Sequence, residues 1–273
     1  MSGCIRLKNI KKNSGIFMRF ILKLKNIPGE RILPINYQYE LASWIYSVLA
    51  QGDKNYAKNL HSKKESAYKL FTFSKLKTPE VQVYEDRLIL FSEYSSFEIS
   101  FLEEKTGKTF LIGLFSQKEF SIGDKKSRAT FNIEKLEEKP KPNFTDTMRF
   151  YTLSPICISK PGSNGFPDYL GPEDENYESY FLKHLIHKYE SYLSKDTKEE
   201  LSETLQLKVL DKPVRKLIKL KASSENVQSV RVYQFAFEIK ANAEINRMAY
   251  YAGFGEKNSM GFGCVEVKKE ISS

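Results

Sequence analysis

The sequence has few cysteines, few histidines and no long apolar run. Its 273 residues include three cysteines and three histidines. Cys4, Cys157 and Cys264 lie far apart, without a CxxC pair or a cysteine–histidine spacing, so neither a disulfide framework nor a zinc site is predicted. This usage fits a reducing cytoplasm. The sequence also predicts no membrane span, and the N-terminal stretch lacks the pattern of a secretory signal.

Positive charge is what the sequence has in excess. Lys and Arg number 43 against 34 Asp and Glu, for a net charge of +9. Such an excess suits a polyanionic partner, although a solvated charged surface would have the same composition. With 41% hydrophobic and 28% charged residues, the chain has the composition of a globular protein.

Each half of the sequence predicts a strand, a helix, further strands, a helix and a last strand. Alternation from Met18 predicts a first strand that ends before the break at Pro28 and Gly29, and apolar spacing predicts a helix over residues 38–50. Asp53 is expected to cap a second short helix. The strongest helix is predicted over residues 174–193. A charged stretch with two prolines, residues 137–147, is the predicted linker.

The repeated order of elements predicts an α+β fold with two tandem ferredoxin-like (RRM-like) domains, because this order is the split β-α-β arrangement found twice. We expect an N-terminal extension over residues 1–17. A first domain is predicted over residues 18–140 and a second over residues 148–273.

The most unusual local feature is a glycine-rich segment with two GxG pairs around a polar turn: Gly253, Gly255, Lys257, Asn258, Ser259, Gly261 and Gly263. Glycines allow positive φ and close backbone approach, so this segment can aim N–H groups at phosphate oxygens. The lysine would supply charge, and the asparagine and serine hydrogen bonds. A purely structural interpretation is a helix C-cap followed by a bulge. Nucleotide-cofactor motifs are excluded, because neither GxGxxG nor a P-loop is present.

Candidates for acid–base chemistry lie in the first two predicted helices. Tyr46 lies away from the apolar stripe of the first helix, and His61 ends the second beside Lys63 and Lys64. A histidine titrates near pH 6.5, so it can transfer protons without a metal. Taken alone, these residue types more often indicate a surface histidine and a packing tyrosine.

Two other clusters invite a metal interpretation. His184 and His187 lie three residues apart on a predicted helix, but without a carboxylate or cysteine at ligand spacing, so we interpret them as solvated. The acidic run Glu173–Glu175 is interpreted as favourable charge in the first turn of that helix rather than as a two-metal site. We therefore expect neither a metal nor a cofactor.

The sequence resembles the CRISPR-associated endoribonucleases of the Cas6 family, within the RAMP superfamily, which process precursor CRISPR RNA. The resemblance covers most of the chain from Met18. The segments that carry it are MRF, LPINYQYELASWIY, LHSKKESAYKLFTFS, RFYTLSPICIS and, most specifically, GFGEKNSMGFGCVEV. It implies two ferredoxin-like domains, RNA contact by the glycine-rich segment and metal-independent cleavage within each repeat.

The resemblance also implies which residues act. Tyr46 corresponds to the tyrosine of the first helix, His61 to the histidine that closes the second, and Lys69 to the lysine before the next strand. The stretch before this lysine is longer than in the family, so Lys63 and Lys64 are alternatives. These residues would promote attack of the 2′-hydroxyl on the adjacent phosphate, with acid and base unassigned.

The expected partners are CRISPR repeat RNA and precursor crRNA, together with other CRISPR-associated proteins and a second copy of the chain. No membrane is expected. The alternative function is that of a non-catalytic subunit that binds the RNA backbone within a CRISPR complex.

Overall fold

The fold is taken from a computed structural model, which describes residues 17–62, 68–163, 165–193, 205–220 and 227–268. Nearly all of the predicted N-terminal extension lies outside these ranges. No helix within them is long and apolar enough to cross a membrane.

The N-terminal half is an antiparallel sheet with helices. Its elements are β1 (Met18–Pro34), α1 (Gln38–Gly52), α2 (Lys54–Ser62), β2 (Phe71–Phe73), β3 (Val81–Tyr84), β4 (Arg87–Leu90), β5 (Tyr94–Phe101), α3 (Glu104–Phe115), β6 (Glu119–Gly123) and β7 (Arg128–Glu138). The central strands follow the order β2-β5-β1-β7 with antiparallel neighbours. This is the strand order of a ferredoxin-like domain.

The C-terminal half repeats that arrangement. Its elements are β8 (Thr147–Thr152), β9 (Ser159–Pro161), β10 (Pro167–Tyr169), α4 (Tyr177–Leu193), β11 (Gln206–Val209), β12 (Val214–Leu220), β13 (Gln228–Gln234), β14 (Ala236–Lys240), α5 (Ala243–Ala252), a short 3₁₀ helix (Asn258–Met260) and β15 (Val265–Val267). The sheet order β11-β14-β8-β15 corresponds strand for strand to that of the first half. The predicted pair of ferredoxin-like domains is confirmed.

Local sequence signals explain where several elements begin. The Asp53 side chain accepts a hydrogen bond from the backbone of Tyr56 at 2.9 Å and so caps α2, as predicted. Asn242 caps α5 in the same way, through the backbone N–H of Ile245 at 2.8 Å. In β1 the alternating apolar side chains point into the core, where Leu22 is fully buried.

Three predictions on the elements are wrong in detail. β1 continues past the predicted break at Pro28, because a register shift between Asn26 and Arg31 absorbs the irregularity. β6 was not predicted. α4 begins at Tyr177, so the acidic run precedes the helix rather than forming its first turn. There the Asp174 carboxylate accepts a hydrogen bond from a backbone N–H at 2.6 Å.

The two halves are joined by buried polar contacts. Arg19 on β1 is 2% exposed, and its guanidinium donates to the Glu98 carboxylate at 2.9 Å and to the carbonyl of Val265 at 2.7 Å. The Thr72 hydroxyl on β2 donates to the carbonyl of Phe262 at 2.8 Å. These bonds tie strands of the first half to the last segment of the second, so they fix the halves against each other.

Candidate nucleic-acid interface and active site

The glycine-rich segment forms a buried loop between α5 and β15, and residues 253–263 are named the glycine loop below. All four of its glycines have positive φ, between 67° and 88°. A Cβ atom added at any of them would lie 1.9 to 2.6 Å from a neighbouring atom. The first glycine also ends α5, with its N–H bonded to the carbonyl of Ala249 at 2.8 Å. The loop therefore requires glycine for its own shape, whatever it binds.

The side chain of Asn258 braces this loop from inside. Its amide donates to the carbonyls of Phe254 at 2.9 Å and Phe262 at 3.0 Å. Its oxygen accepts from Lys188 at 2.6 Å. Both amide hydrogens are thus used within the protein. Contact of Asn258 with RNA stays a prediction.

Lys188 of α4 lies beneath the glycine loop and was not predicted to have a role. Its ammonium donates to the carbonyls of Gly253 at 2.5 Å and Gly255 at 2.9 Å, besides the Asn258 oxygen. Burial lowers the pKa of this lysine to about 7, and the Glu256 carboxylate opposes that shift. A sequence signal existed, because Lys188 follows Leu185 by three residues and so lies on the buried stripe of the helix.

His184 pairs with a carboxylate of the glycine loop. Its Nε2 lies 3.1 Å from the Glu256 carboxylate, which also accepts from the Ser159 hydroxyl at 3.0 Å. Burial raises the pKa of Glu256, but the hydrogen bonds from His184 and Ser159 outweigh it, so the net pKa is lowered. The interpretation of His184 as solvated is wrong. His187 is also half-buried, and both histidines line the cleft described next.

A cleft of about 850 Å³ lies beside the glycine loop, between α4, the β9–β10 hairpin and the residues that precede β2. Among the described residues that line it, four are lysines and one is a carboxylate. The lysines are Lys69, Lys160, Lys183 and Lys257. Aromatic side chains line it as well, and Phe166 is 72% exposed. Cationic side chains interleaved with aromatic ones suit a single-stranded nucleic acid.

Tyr46 lies beside Lys69, one of the lysines that line this cleft. The Lys69 ammonium lies 5.4 Å from the centroid of the Tyr46 ring, which packs edge-on against Phe71. Burial raises the pKa of Tyr46 to about 12, and a hydrogen bond with the Ser259 side chain opposes part of the shift. The structure therefore brings together two of the predicted catalytic residues and one residue of the glycine loop.

The structure describes the remaining predicted catalytic residues less fully. His61 lies in the last turn of α2, and only its backbone is among the described residues. Lys63 and Lys64 lie outside the described residues. After Lys69, the next residue, Leu70, has a φ of 50°, which is unusual for a leucine. This turn reorients the chain between the lysine and β2.

Fold and cleft together define the class of protein. It is a tandem ferredoxin-like protein whose glycine loop borders a basic cleft suited to a polyanionic strand, with Lys69 in the wall of the cleft and Tyr46 beside that lysine.

Comparison with known families identifies this class further. The family model "CRISPR-associated protein Cas6, N-terminal" matches residues 32–136, and "CRISPR associated protein Cas6, C-terminal" matches residues 137–267. The chain belongs to the CRISPR-associated Cas6 family.

Individual relatives agree over nearly the whole chain. "CRISPR-associated endoribonuclease Cas6 1" of Methanocaldococcus jannaschii is 27% identical over 252 residues, which cover 91% of this chain and 92% of the relative. "CRISPR-associated endoribonuclease Cas6" of Pyrococcus furiosus is 28% identical over 260 residues, covering 92% and 90%. A solved structure described as "An RAMP protein binding different RNA substrates" is 26% identical with a TM-score of 0.77, covering 92% of this chain and all of that one.

Proposed function

We propose that this protein is an endoribonuclease that cleaves precursor CRISPR RNA within its repeats, by metal-independent attack of the RNA's own 2′-hydroxyl on the adjacent phosphate. The products are a cyclic phosphate and a free 5′-hydroxyl. Family membership and the names of the relatives support the reaction class. The observation that carries the proposal is that Lys69 lines a basic cleft together with Ser259 of the glycine loop and lies 5.4 Å from the ring of Tyr46.

The protonation state of Tyr46 bears on how protons move. With a pKa of about 12, this phenol keeps its proton near neutral pH and acts as a donor. We assign to it protonation of the leaving 5′-oxygen. His61 then takes the proton of the 2′-hydroxyl, and the Lys69 ammonium stabilises the charge on the pentacoordinate phosphate.

The glycine loop is proposed to hold the RNA backbone. Within the described part of the chain, the loop N–H groups that donate to protein acceptors are those of Gly253, Phe254, Glu256, Met260, Gly261 and Gly263. Those of residues 257–259 donate to no described residue. Together with the Lys257 ammonium, these N–H groups form a surface for a phosphate. CRISPR repeat RNA is the partner; further CRISPR-associated proteins and a second copy of the chain stay predictions.

Cleavage of repeat RNA in EDTA tests the mechanism. We expect His61→Ala and Tyr46→Phe to slow cleavage by about two to four orders of magnitude while RNA binding changes little. Tyr94→Phe, which alters an exposed tyrosine on β5, is the control. Full cleavage by the His61 variant in chelator would refute its assignment.

A second substrate separates the enzyme from the alternative of a non-catalytic RNA-binding subunit. In it, a deoxyribose replaces the ribose before the scissile phosphate. Cleavage of the ribose form alone identifies 2′-hydroxyl attack. Binding of both forms without cleavage of either identifies the binding subunit, and cleavage only after addition of a divalent ion identifies a metal-dependent nuclease.

A further inference from the structure

We propose that Lys188 is a positioning residue for RNA binding, whose buried ammonium holds the glycine loop in the shape that receives the RNA backbone. The inference rests on the proposed function, because that function gives the loop its phosphate. Lys188 is 1% exposed, so it cannot itself reach a strand in the cleft. Its effect must pass through the loop.

The hydrogen bonds of this ammonium are complete. An ammonium has three donors. Those of Lys188 meet three oxygens, on Gly253, Gly255 and Asn258, at 2.5 to 2.9 Å. Without the cation, these partial negative charges would face one another in a buried space with no donor between them. The ammonium therefore acts as an internal counter-charge for the loop.

Asn258 extends this hold to the far end of the loop. While its oxygen accepts from Lys188, its amide donates to the carbonyls of Phe254 and Phe262. One ammonium thus connects both GxG pairs through a single asparagine. Loss of the ammonium is expected to loosen the whole loop rather than one turn of it.

The direction in which the loop carbonyls point links the hydrogen bonds of Lys188 to RNA binding. Those of Gly253 and Gly255 point at Lys188, which lies in the interior. Lys257 and Ser259 instead line the cleft. Turning these two carbonyls inward removes two acceptors from the cleft side of the loop, where Lys257 supplies a cation and the Glu256 carboxylate is paired with His184, so that repulsion of a phosphate is reduced.

Substitution of Lys188 by methionine tests the proposal, because methionine keeps an unbranched chain and removes the donors. Binding is measured by fluorescence anisotropy with repeat RNA that carries the deoxyribose block, in EDTA and at a pH below the pKa of about 7 that burial gives Lys188, so that the side chain is an ammonium. Loss of charge-assisted hydrogen bonds of about 1.5–3 kcal/mol corresponds to binding weaker by about 10- to 100-fold. The control is Lys108→Met on α3, which removes an exposed lysine paired with Glu104, and its affinity is expected to stay within about twofold.

Salt dependence distinguishes positioning from contact. A lysine that touches phosphate contributes to the slope of log affinity against log salt. We expect Lys183→Met, in the wall of the cleft, to reduce that slope by roughly one, and Lys188→Met to leave it unchanged while affinity falls. A reduced slope for the Lys188 variant would overturn the positioning role.

Chemical rescue tests whether the loss of RNA affinity comes from the missing charge or from a structural defect of the variant. In Lys188→Ala, added n-propylammonium restores the missing chain with its charge, whereas 1-propanol restores its volume without charge. We expect RNA affinity to recover with the first compound and not with the second. Hydrogen exchange over residues 253–263 should speed up in the variant and slow again with n-propylammonium. Equal rescue by the alcohol would overturn the proposal.

The unsubstituted chain gives a check that does not depend on a variant folding. During reductive methylation, Lys188 should stay unmodified with or without RNA, whereas Lys183 and Lys257 should be protected only by RNA. Modification of Lys188 as fast as Lys183 would overturn the inference. Failure of the proposed function is distinguishable, since it appears as wild-type protein that neither binds nor cleaves repeat RNA. Normal RNA binding by Lys188→Met would overturn the positioning role of Lys188 but would leave the proposed function standing.

Discussion

Substitution of Gly263 by alanine should destabilise the protein far more than the same substitution at Gly29, although both glycines have positive φ. The values are 72° and 85°. An L-residue in this region costs about 1–2 kcal/mol, and alanine regains about 0.4–1 kcal/mol by restricting the unfolded chain. Both variants carry these two effects.

The difference between the sites lies in what the new methyl group meets. At Gly29 no atom lies within 4 Å of the added Cβ, whereas at Gly263 the carbonyl oxygen of Phe254 would lie at 1.9 Å. That oxygen belongs to the backbone and cannot rotate away. Overpacking of this kind costs about 1–3 kcal/mol and more where backbone must move. We therefore expect Gly263→Ala to lose at least about 2 kcal/mol more than Gly29→Ala.

Thermal unfolding followed by circular dichroism measures this difference. For a protein of this size, about 2 kcal/mol corresponds to a fall in Tm of roughly 4–8 °C. Gly261→Ala gives an intermediate case, since its Cβ would meet the ring of Phe73 at 2.5 Å and a side chain can shift. Equal losses at Gly29 and Gly263 would refute the view that close packing, rather than backbone conformation alone, dictates glycine in the loop.

Three further predictions compare a variant with a matched control variant, or the native chain with the unfolded chain. Arg19→Met should lower the free energy of unfolding by about 1–3 kcal/mol in urea titration, because it leaves the buried carbonyl of Val265 without its guanidinium donor while Glu98 keeps its ion pair with Lys139, whereas the half-exposed Arg149→Met should cost under about 1 kcal/mol. Phe166→Ala should weaken RNA binding about 5- to 100-fold through lost base stacking, while Phe115→Ala, 79% exposed outside the cleft, should not. Burial raises the pKa of Cys157, so its alkylation at pH 8.5, followed by mass spectrometry, should be at least about tenfold slower in the native chain than in urea.

The periodicity of apolar residues in the sequence was enough to predict the fold. The start of α1 at Gln38 and the capping of α2 by Asp53 were predicted correctly, because local spacing and capping determine them. The continuation of β1 past Pro28 was not, since the bulge that permits it depends on pairing with β7, about a hundred residues away. The local sequence pattern of β1 contains no information about so distant a partner strand.

The same limit applies to the site. The glycine loop and Tyr46 stand out in the sequence through composition and resemblance. Lys188 is marked in the sequence only as a lysine on the buried stripe of α4, and its role is not, because the oxygens that it binds lie 65 to 70 residues further along the chain. His184 was misread for the same reason, as its carboxylate partner lies on the glycine loop. Contacts of this range follow from the fold rather than from spacing.

The proposed site draws residues from both ferredoxin-like domains, because Lys69 of the first lines the same cleft as Ser259 of the second. Neither half alone therefore carries a whole site, and a chimera that exchanges one half for that of a relative would inherit only part of it. The buried bonds of Arg19 and Thr72 across the same boundary would have to match as well. The two halves therefore change together in evolution. A substitution in the glycine loop of the second half determines which substitutions are tolerated around Tyr46 in the first half.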